Sequence, residues 1–207
     1  MNRQKNNYES LYKLLIRVLK KVDAWKEYEE VLCDAFNSIC GLEKRLATVR
    51  FGSSTTDEAE AQYAVGVLAA FPGSSQVLAQ QIAKDIESNW RVVSQQLLSM
   101  NALVIQEVHQ MAEDAKKSLP TIPVGAVASQ GSGIPILAGE CALWIGQMDK
   151  MLYGEYLRKR ELFAQYTTNQ IENVLEASSV WPASSCEGVI DFSLLNTISN
   201  RISLNSK

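Results

Sequence analysis

The sequence offers few side chains that could carry catalytic chemistry. His109 is the one histidine of the chain, and it falls between Val108 and Gln110 in a helical pattern with no H-E-x-x-H motif around it. Acidic residues are scattered at the spacing of a solvated helix face, and His109 has neither a second histidine nor a paired serine or cysteine. We therefore predict that the protein is not an enzyme and uses no cofactor.

The four cysteines form neither a metal site nor a redox motif. Cys33, Cys40, Cys141 and Cys186 contain no C-x-x-C pair and lack histidines at ligand spacing. Cys33 and Cys40 lie seven residues apart, which in a helix separates their Cα atoms by about 10 Å, too far for a disulfide. We interpret all four as small, mostly buried apolar side chains.

The densest chemical cluster runs from Tyr153 to Leu162 and contains three consecutive cations. At 100° per residue these cations spread over roughly 200° of a helix, so they cannot all face one partner. Tyrosine and arginine are frequent anchors of protein interfaces. The alternative is an exposed basic helix turn without a partner. The predicted partner interface comprises Trp144, Tyr153, Tyr156, Arg158, Lys159 and Phe163.

Two long helices are predicted in the part of the chain that precedes this cluster. Residues 8–50 contain no proline and one glycine, and their apolar residues recur in steps of four and three. A second helix, predicted over 74–118, repeats the pattern, and the two can fold back as an antiparallel pair that joins both seams. Glu29 and Glu43 are the two polar positions of the first seam. The predicted seam residues are Leu15, Val22, Trp25, Leu32, Phe36, Trp90, Leu97 and Val104.

Glycine and proline divide the rest of the chain. They predict a short helical elbow at 57–71 and an uncharged, flexible linker at 120–135. A third long helix should begin near 135 or 136, and a capping box at 167–170 should open a short helix that is followed by a last one over 191–202. No strand is expected. The prediction is an all-α, elongated helical bundle with a hairpin (1–119), the linker (120–135) and a C-terminal helical segment (136–207).

Composition places the chain among globular proteins inside the cell. Its 207 residues are 46% hydrophobic and 21% charged, with a net charge of −3. The longest apolar stretch is shorter than half of the roughly 20 residues that a bilayer needs, and the N-terminus does not read as a signal peptide. Residues 1–50 carry ten basic against seven acidic residues. This basic helix is either a solvated face or a contact for an acidic protein, a membrane or nucleic acid, the last disfavoured by the net acidity.

Several blocks resemble the AIRIM family of helical ribosome maturation factors. They are Trp144-Ile145, Tyr153, Tyr156 to Leu162, the Leu68 to Pro72 elbow, and Trp25 with Cys33 and Leu42 to Leu46. The blocks occur in the family's order, and the resemblance spans most of the chain. The glycine-rich connector and Gly154 depart from the family pattern.

The resemblance implies a non-catalytic adaptor in a cytoplasmic and nuclear complex. Its implied partners are AAA+ ATPases of the spermatogenesis-associated type and a CINP-like helical subunit, with pre-ribosomal particles contacted indirectly. Such a complex is implicated in large ribosomal subunit maturation and in clearing replisome proteins from chromatin. ATP would belong to the partners, since this chain has no Walker motif. The alternative hypothesis is a self-associating coiled-coil scaffold of the cytoskeletal or centrosomal kind.

Overall fold

A computed structural model describes residues 2–51, 73–123, 125–129, 134–167, 180–182 and 188–205. A five-residue π-helix, Asn101–Ile105, joins the second and third α-helices into one rod. The all-α class predicted from the sequence is confirmed, apart from one pair of very short strands. The α-helices are α1 (Asn2–Phe51), α2 (Ser74–Met100), α3 (Gln106–Ser118), α4 (Ala138–Thr167) and α5 (Phe192–Asn205).

Helix α1 is one uninterrupted rod of 50 residues, which is about 75 Å long at 1.5 Å per residue. Its buried positions follow the predicted steps of four and three, because that spacing keeps apolar side chains on one face. Of the predicted seam, Trp90 is half-buried against the core and the others are buried. The buried side chains of α1 are Leu11, Leu15, Val18, Val22, Trp25, Leu32, Ala35, Phe36, Ile39 and Cys40.

The two long rods run antiparallel, as predicted. Lys21 of α1 pairs with Glu107 of α3 at 2.8 Å, and farther along α1 the ring of Phe36 meets Trp90 of α2. Helix α4 runs parallel to α1, since Glu29 pairs with Lys159 and, farther along both helices, Phe36 packs against Tyr166. Helix α5 returns antiparallel along α4, and Arg201 pairs with Glu140 near the start of α4 at 3.3 Å. The result is a bundle whose core is shared by all these helices.

The connector between α3 and α4 contains a small antiparallel ribbon, so the expectation of no strand is wrong. Strand β1 (Val127–Ser129) pairs with β2 (Ile136–Leu137) through an irregular register. Strands of three and two residues are too short for an alternating pattern to reveal them. Ala128 of β1 is buried, so part of the predicted flexible linker packs on the bundle.

The ribbon also delays the start of the third long helix. It begins at Ala138 rather than at 135 or 136, because Ile136 and Leu137 are used in pairing. Glu140 then accepts a hydrogen bond from the Leu137 amide at 2.9 Å, which satisfies a donor that the first turn leaves open.

Some predictions fall on residues that the structure does not describe. The elbow at 57–71, the short helix after the capping box at 167–170 and the Leu68 to Pro72 block lie outside the described residues. Within the described part, no helix combines the length and the apolar character needed to cross a membrane.

Candidate functional site

The inner face of α4 carries a buried cation that meets α1. Lys159 has no exposed surface, and its ammonium lies 2.9 Å from the carboxylate of Glu29. The ammonium also donates to the Trp181 carbonyl at 2.7 Å and sits 4.8 Å from the centroid of the Trp181 ring. Because a lone buried charge is costly, these contacts explain how the interior holds Lys159.

A second cation, Arg158, ties the C-terminal part of the chain to α4. Its guanidinium donates to the carboxylate of Glu155, which is fully buried, and to the carbonyls of Val180 and Trp181. The same Glu155 carboxylate accepts a hydrogen bond from the Val189 amide at 3.1 Å. The network therefore fixes residues 180–182 and 189 against the bundle.

An aromatic cluster adjoins this network. The ring of Trp181 stacks on Phe36 with a centroid distance of 4.3 Å and an interplanar angle of 3°. Trp90 contacts Phe163 edge-on at 5.6 Å, and Tyr166 contacts both Phe36 and Trp90. Residues from α1, α2, α4 and the 180–182 segment meet here, so this cluster is where the bundle closes.

The predicted interface residues divide between the interior and the surface. Lys159 and Tyr156 are buried, and Arg158 is mostly buried by its own contacts. Three predicted residues therefore serve intrachain packing in this structure, because the inner stripe of α4 continues through them. Trp144 and Phe163 are half-buried, while Tyr153 is 50% exposed.

Sequence reasoning placed Glu29 in the α1 seam but missed its partner. Lys159 follows Leu152 by seven residues and Ile145 by fourteen, which is the spacing of the inner stripe of α4. That periodicity was the available signal. Glu155, which precedes Lys159 by four residues, belongs to the same stripe. Sequence reasoning missed it too, although the same spacing was available.

The outward face of α4 presents apolar side chains between cations. Leu143 is 60% exposed and Tyr153 is 50% exposed, and Lys150 and Arg160 are exposed on the same stripe. We call these four residues the outer α4 face. Beside its first half, a groove of about 520 Å³ separates α4 from α3. Exposed tyrosine and arginine residues are frequent in protein-binding surfaces.

Burial keeps the thiols of the three described cysteines protonated to higher pH than usual. Burial, helped by the Glu29 carboxylate, raises the pKa of the Cys33 thiol to about 12, and burial likewise raises the pKa of Cys141 to about 12. Burial also raises the pKa of Cys40. Since the thiolate is the reactive form, these cysteines are unsuited to nucleophilic chemistry.

His109 lies on the surface of α3, where its Nδ1 atom is 3.2 Å from a carboxylate oxygen of Asp149 on α4. In the described ranges, no group of three or more His, Cys, Asp and Glu residues could hold a metal ion.

No protein-family model, curated protein or solved structure matches this chain. The AIRIM resemblance thus rests on the residues quoted above, of which the Leu68 to Pro72 block lies outside the described residues.

Proposed function

We propose that this protein is a non-catalytic adaptor subunit of an AAA+ ATPase complex that acts in large ribosomal subunit maturation. The proposal extends to clearance of replisome proteins from chromatin and to work in both the cytoplasm and the nucleus. Its partners are the AAA+ ATPases and a CINP-like helical subunit. The residue resemblance around Trp144 and Tyr153 carries this assignment.

The geometry supports binding as the task of the outer α4 face. Leu143 and Tyr153 stay exposed although the inner stripe of the same helix is fully packed. The network around Lys159 and Glu155 locks the inner stripe, so α4 offers a rigid surface. A rigid helix face lowers the conformational entropy lost when a partner binds.

Affinity purification with mass spectrometry from cells tests the proposal. The tagged chain is expected to recover an AAA+ ATPase pair and a CINP-like subunit. A double variant, Leu143→Ala with Tyr153→Ala, should reduce ATPase recovery by roughly thirtyfold or more, because two anchor residues that each contribute on the order of 1–2 kcal/mol weaken binding by about 2–4 kcal/mol.

A matched control uses Leu98, which is 65% exposed on α2. Leu98→Ala should recover the ATPases like the unmodified protein. Absence of any AAA+ ATPase from the unmodified purification contradicts the proposed function. Equal losses in the double variant and the control remove the outer α4 face from it.

A further inference from the structure

The side of α1 that faces away from the core carries a charge order of its own. Starting at Lys13 and advancing in steps of four and three residues, as on the buried seam, this side presents three exposed cations. Ala24 comes next, and acidic residues follow it. One more acid, Glu30, flanks this stripe and is exposed as well. We call the set the α1 charge stripe: Lys13, Arg17, Lys20, Glu27, Glu30 and Asp34.

The charges of this stripe are left without ionic partners inside the chain. Within the described residues, none of the six forms an ion pair or a side-chain hydrogen bond. Neighbouring charges on α1 do pair: Lys26 lies 2.9 Å from Asp23, and Lys21 lies 2.8 Å from Glu107. The stripe is therefore available to a second molecule.

The order of the stripe is self-complementary. Lys20 and Glu27 are equally distant from the midpoint between Asp23 and Ala24. The same holds for Arg17 with Glu30 and for Lys13 with Asp34. Two copies of α1 that run antiparallel about this midpoint place every cation opposite an acid, and the two-fold symmetry makes each pair twice. A parallel arrangement in register places like charges together.

A groove lined by both apolar and polar side chains lies beside the centre of the stripe. It has a volume of about 390 Å³ and is bounded by α1 and by the end of α2 with the π-helix. Val31 is 42% exposed and Leu103 is 52% exposed in this groove, and Ala24 and Tyr28 are half-buried there. An α1 helix of a second copy laid over the stripe covers these side chains, and the two-fold axis makes the covering mutual.

One juxtaposition close to the midpoint opposes like charges, and a second, Arg3 with Lys44, falls near the ends of the two helices. Lys21 and Lys26 are also equally distant from the midpoint, so each faces the other across the axis. Both cations already have acidic partners within their own chain, which offsets their mutual repulsion.

We propose that a second copy of this chain docks on the α1 charge stripe, with the two α1 helices antiparallel and centred between Asp23 and Ala24. The dimer is held by apolar contacts at the groove and by the charge pairs on either side. Exposed ion pairs are individually weak and are screened by salt. The dimer is therefore salt-sensitive and specific in register.

Charge reversal tests the register. Sedimentation equilibrium of the purified chain should show a dimer, and its Kd should rise about tenfold between low and high salt because screening removes the charge pairs. A cation-reversed variant and an acid-reversed variant should each be monomeric, since each turns the whole stripe to one sign. An equimolar mixture of the two should restore a heterodimer. The substitutions are Lys13→Glu, Arg17→Glu and Lys20→Glu in one, and Glu27→Lys, Glu30→Lys and Asp34→Lys in the other.

A control reverses three exposed cations outside α1, Lys84, Lys150 and Arg160, and should dimerise normally. Circular dichroism checks that each variant is folded. A cross-link keeps the test decisive if a triple variant fails to fold. Oxidised Ala24→Cys should form a disulfide-linked dimer, because position 24 lies next to the two-fold axis, whereas Ser38→Cys should not.

Three results overturn the proposal. The first is a chain that sediments as a monomer at every concentration. The second is a pair of charge-reversed variants that dimerise as well alone as together. The third is equal cross-linking of Ala24→Cys and Ser38→Cys.

Discussion

Glu29 and Lys159 are charged members of two stripes that are otherwise mostly apolar. Each lies on the inward side of its helix, and their side chains meet at 2.9 Å. A buried pair contributes little net stability compared with well-packed apolar residues, yet removal of one member leaves an uncompensated charge. We infer that the pair sets the axial alignment of α4 against α1, as polar residues do at coiled-coil core positions.

Replacing Lys159 with methionine should destabilise the fold. The substitution keeps a long side chain but leaves Glu29 without its ammonium partner and the Trp181 carbonyl without its donor. We expect a loss of about 3 kcal/mol in the free energy of unfolding, measured by urea denaturation.

The exposed Lys150 provides the control for this change, since Lys150→Met should alter stability by less than about 0.5 kcal/mol. Adding Glu29→Leu to Lys159→Met should recover part of the loss, because it removes the carboxylate that has lost its ammonium partner. A Lys159→Met variant as stable as the control would show that the ion pair does not contribute to the stability of the fold.

At the scale of elements, periodicity predicted where the long helices lie but not the π-helix inside the second one. The buried positions Leu97, Met100, Val104, Val108 and Met111 include two successive steps of four. A regular seam alternates four with three, so the repeated four signals one extra residue, which the π-helix absorbs. Helical periodicity alone does not show whether such a residue is absorbed by twist or by a wider turn.

The π-helix also supplies a contact across the hairpin. Lys21 of α1 donates to the carbonyl of Leu103 at 2.8 Å. Wider π turns leave backbone groups open to other donors. The extra residue is therefore tied into the packing of α1 on the second rod.

Deletion of one residue should be tolerated in the π-helix and nowhere else in that rod. Removing the exposed Ala102 converts the wide turn to regular helix while both flanks keep their phase. We expect a loss of about 1–2 kcal/mol, including the Lys21 contact. Thermal or urea unfolding followed by circular dichroism measures this.

Removal of Gln95, which is exposed in regular helix, is the matched comparison. It rotates one side of α2 by about 100° relative to the other and should prevent stable folding. If the two deletions cost the same, the π-helix does not accommodate an extra residue.

At the scale of the whole molecule, the sequence was sufficient for the fold class and the antiparallel rods, because long seams in steps of four and three permit few other arrangements. The sequence was insufficient to predict the buried contacts of Lys159 at the candidate site. The periodicity of α4 showed which of its residues share one face of the helix. It did not show that Lys159 is buried, because its burial depends on contacts with Trp181 and Glu29. Those contacts span 22 and 130 residues along the chain, and local patterns do not encode them.

The global stability should fall in alkaline solution. Burial raises the pKa of Cys33 and of Cys141 from 9.0 to about 12, and it raises the pKa of Tyr166 from 10.0 to about 12. The unfolded chain releases these protons at lower pH than the folded chain does. Their contribution is therefore complete below about pH 9 and is lost as pH rises toward 12.

Urea midpoints measured at pH 8, 10 and 11 should decline, and Cys141→Ala should decline less steeply, although its midpoint at pH 8 is lower. Alkylation of the native protein at pH 8 gives an independent check. Cys33, Cys40 and Cys141 should react far more slowly than in urea. Identical pH slopes for Cys141→Ala and the unmodified chain would contradict this account.

The stacking of Trp181 on Phe36 has a consequence for how the chain is made. Residue 36 leaves the ribosome 145 residues before its stacking partner, which is about 7–30 s at ordinary rates of synthesis. Helix α1 spends that interval with part of its apolar seam uncovered, and Trp90 arrives only in the middle of it. Because the closing contacts are so distant in sequence, folding of the bundle cannot finish before Trp181 has been synthesised. Nascent α1 is thus the segment whose apolar side chains wait longest for their partners during synthesis.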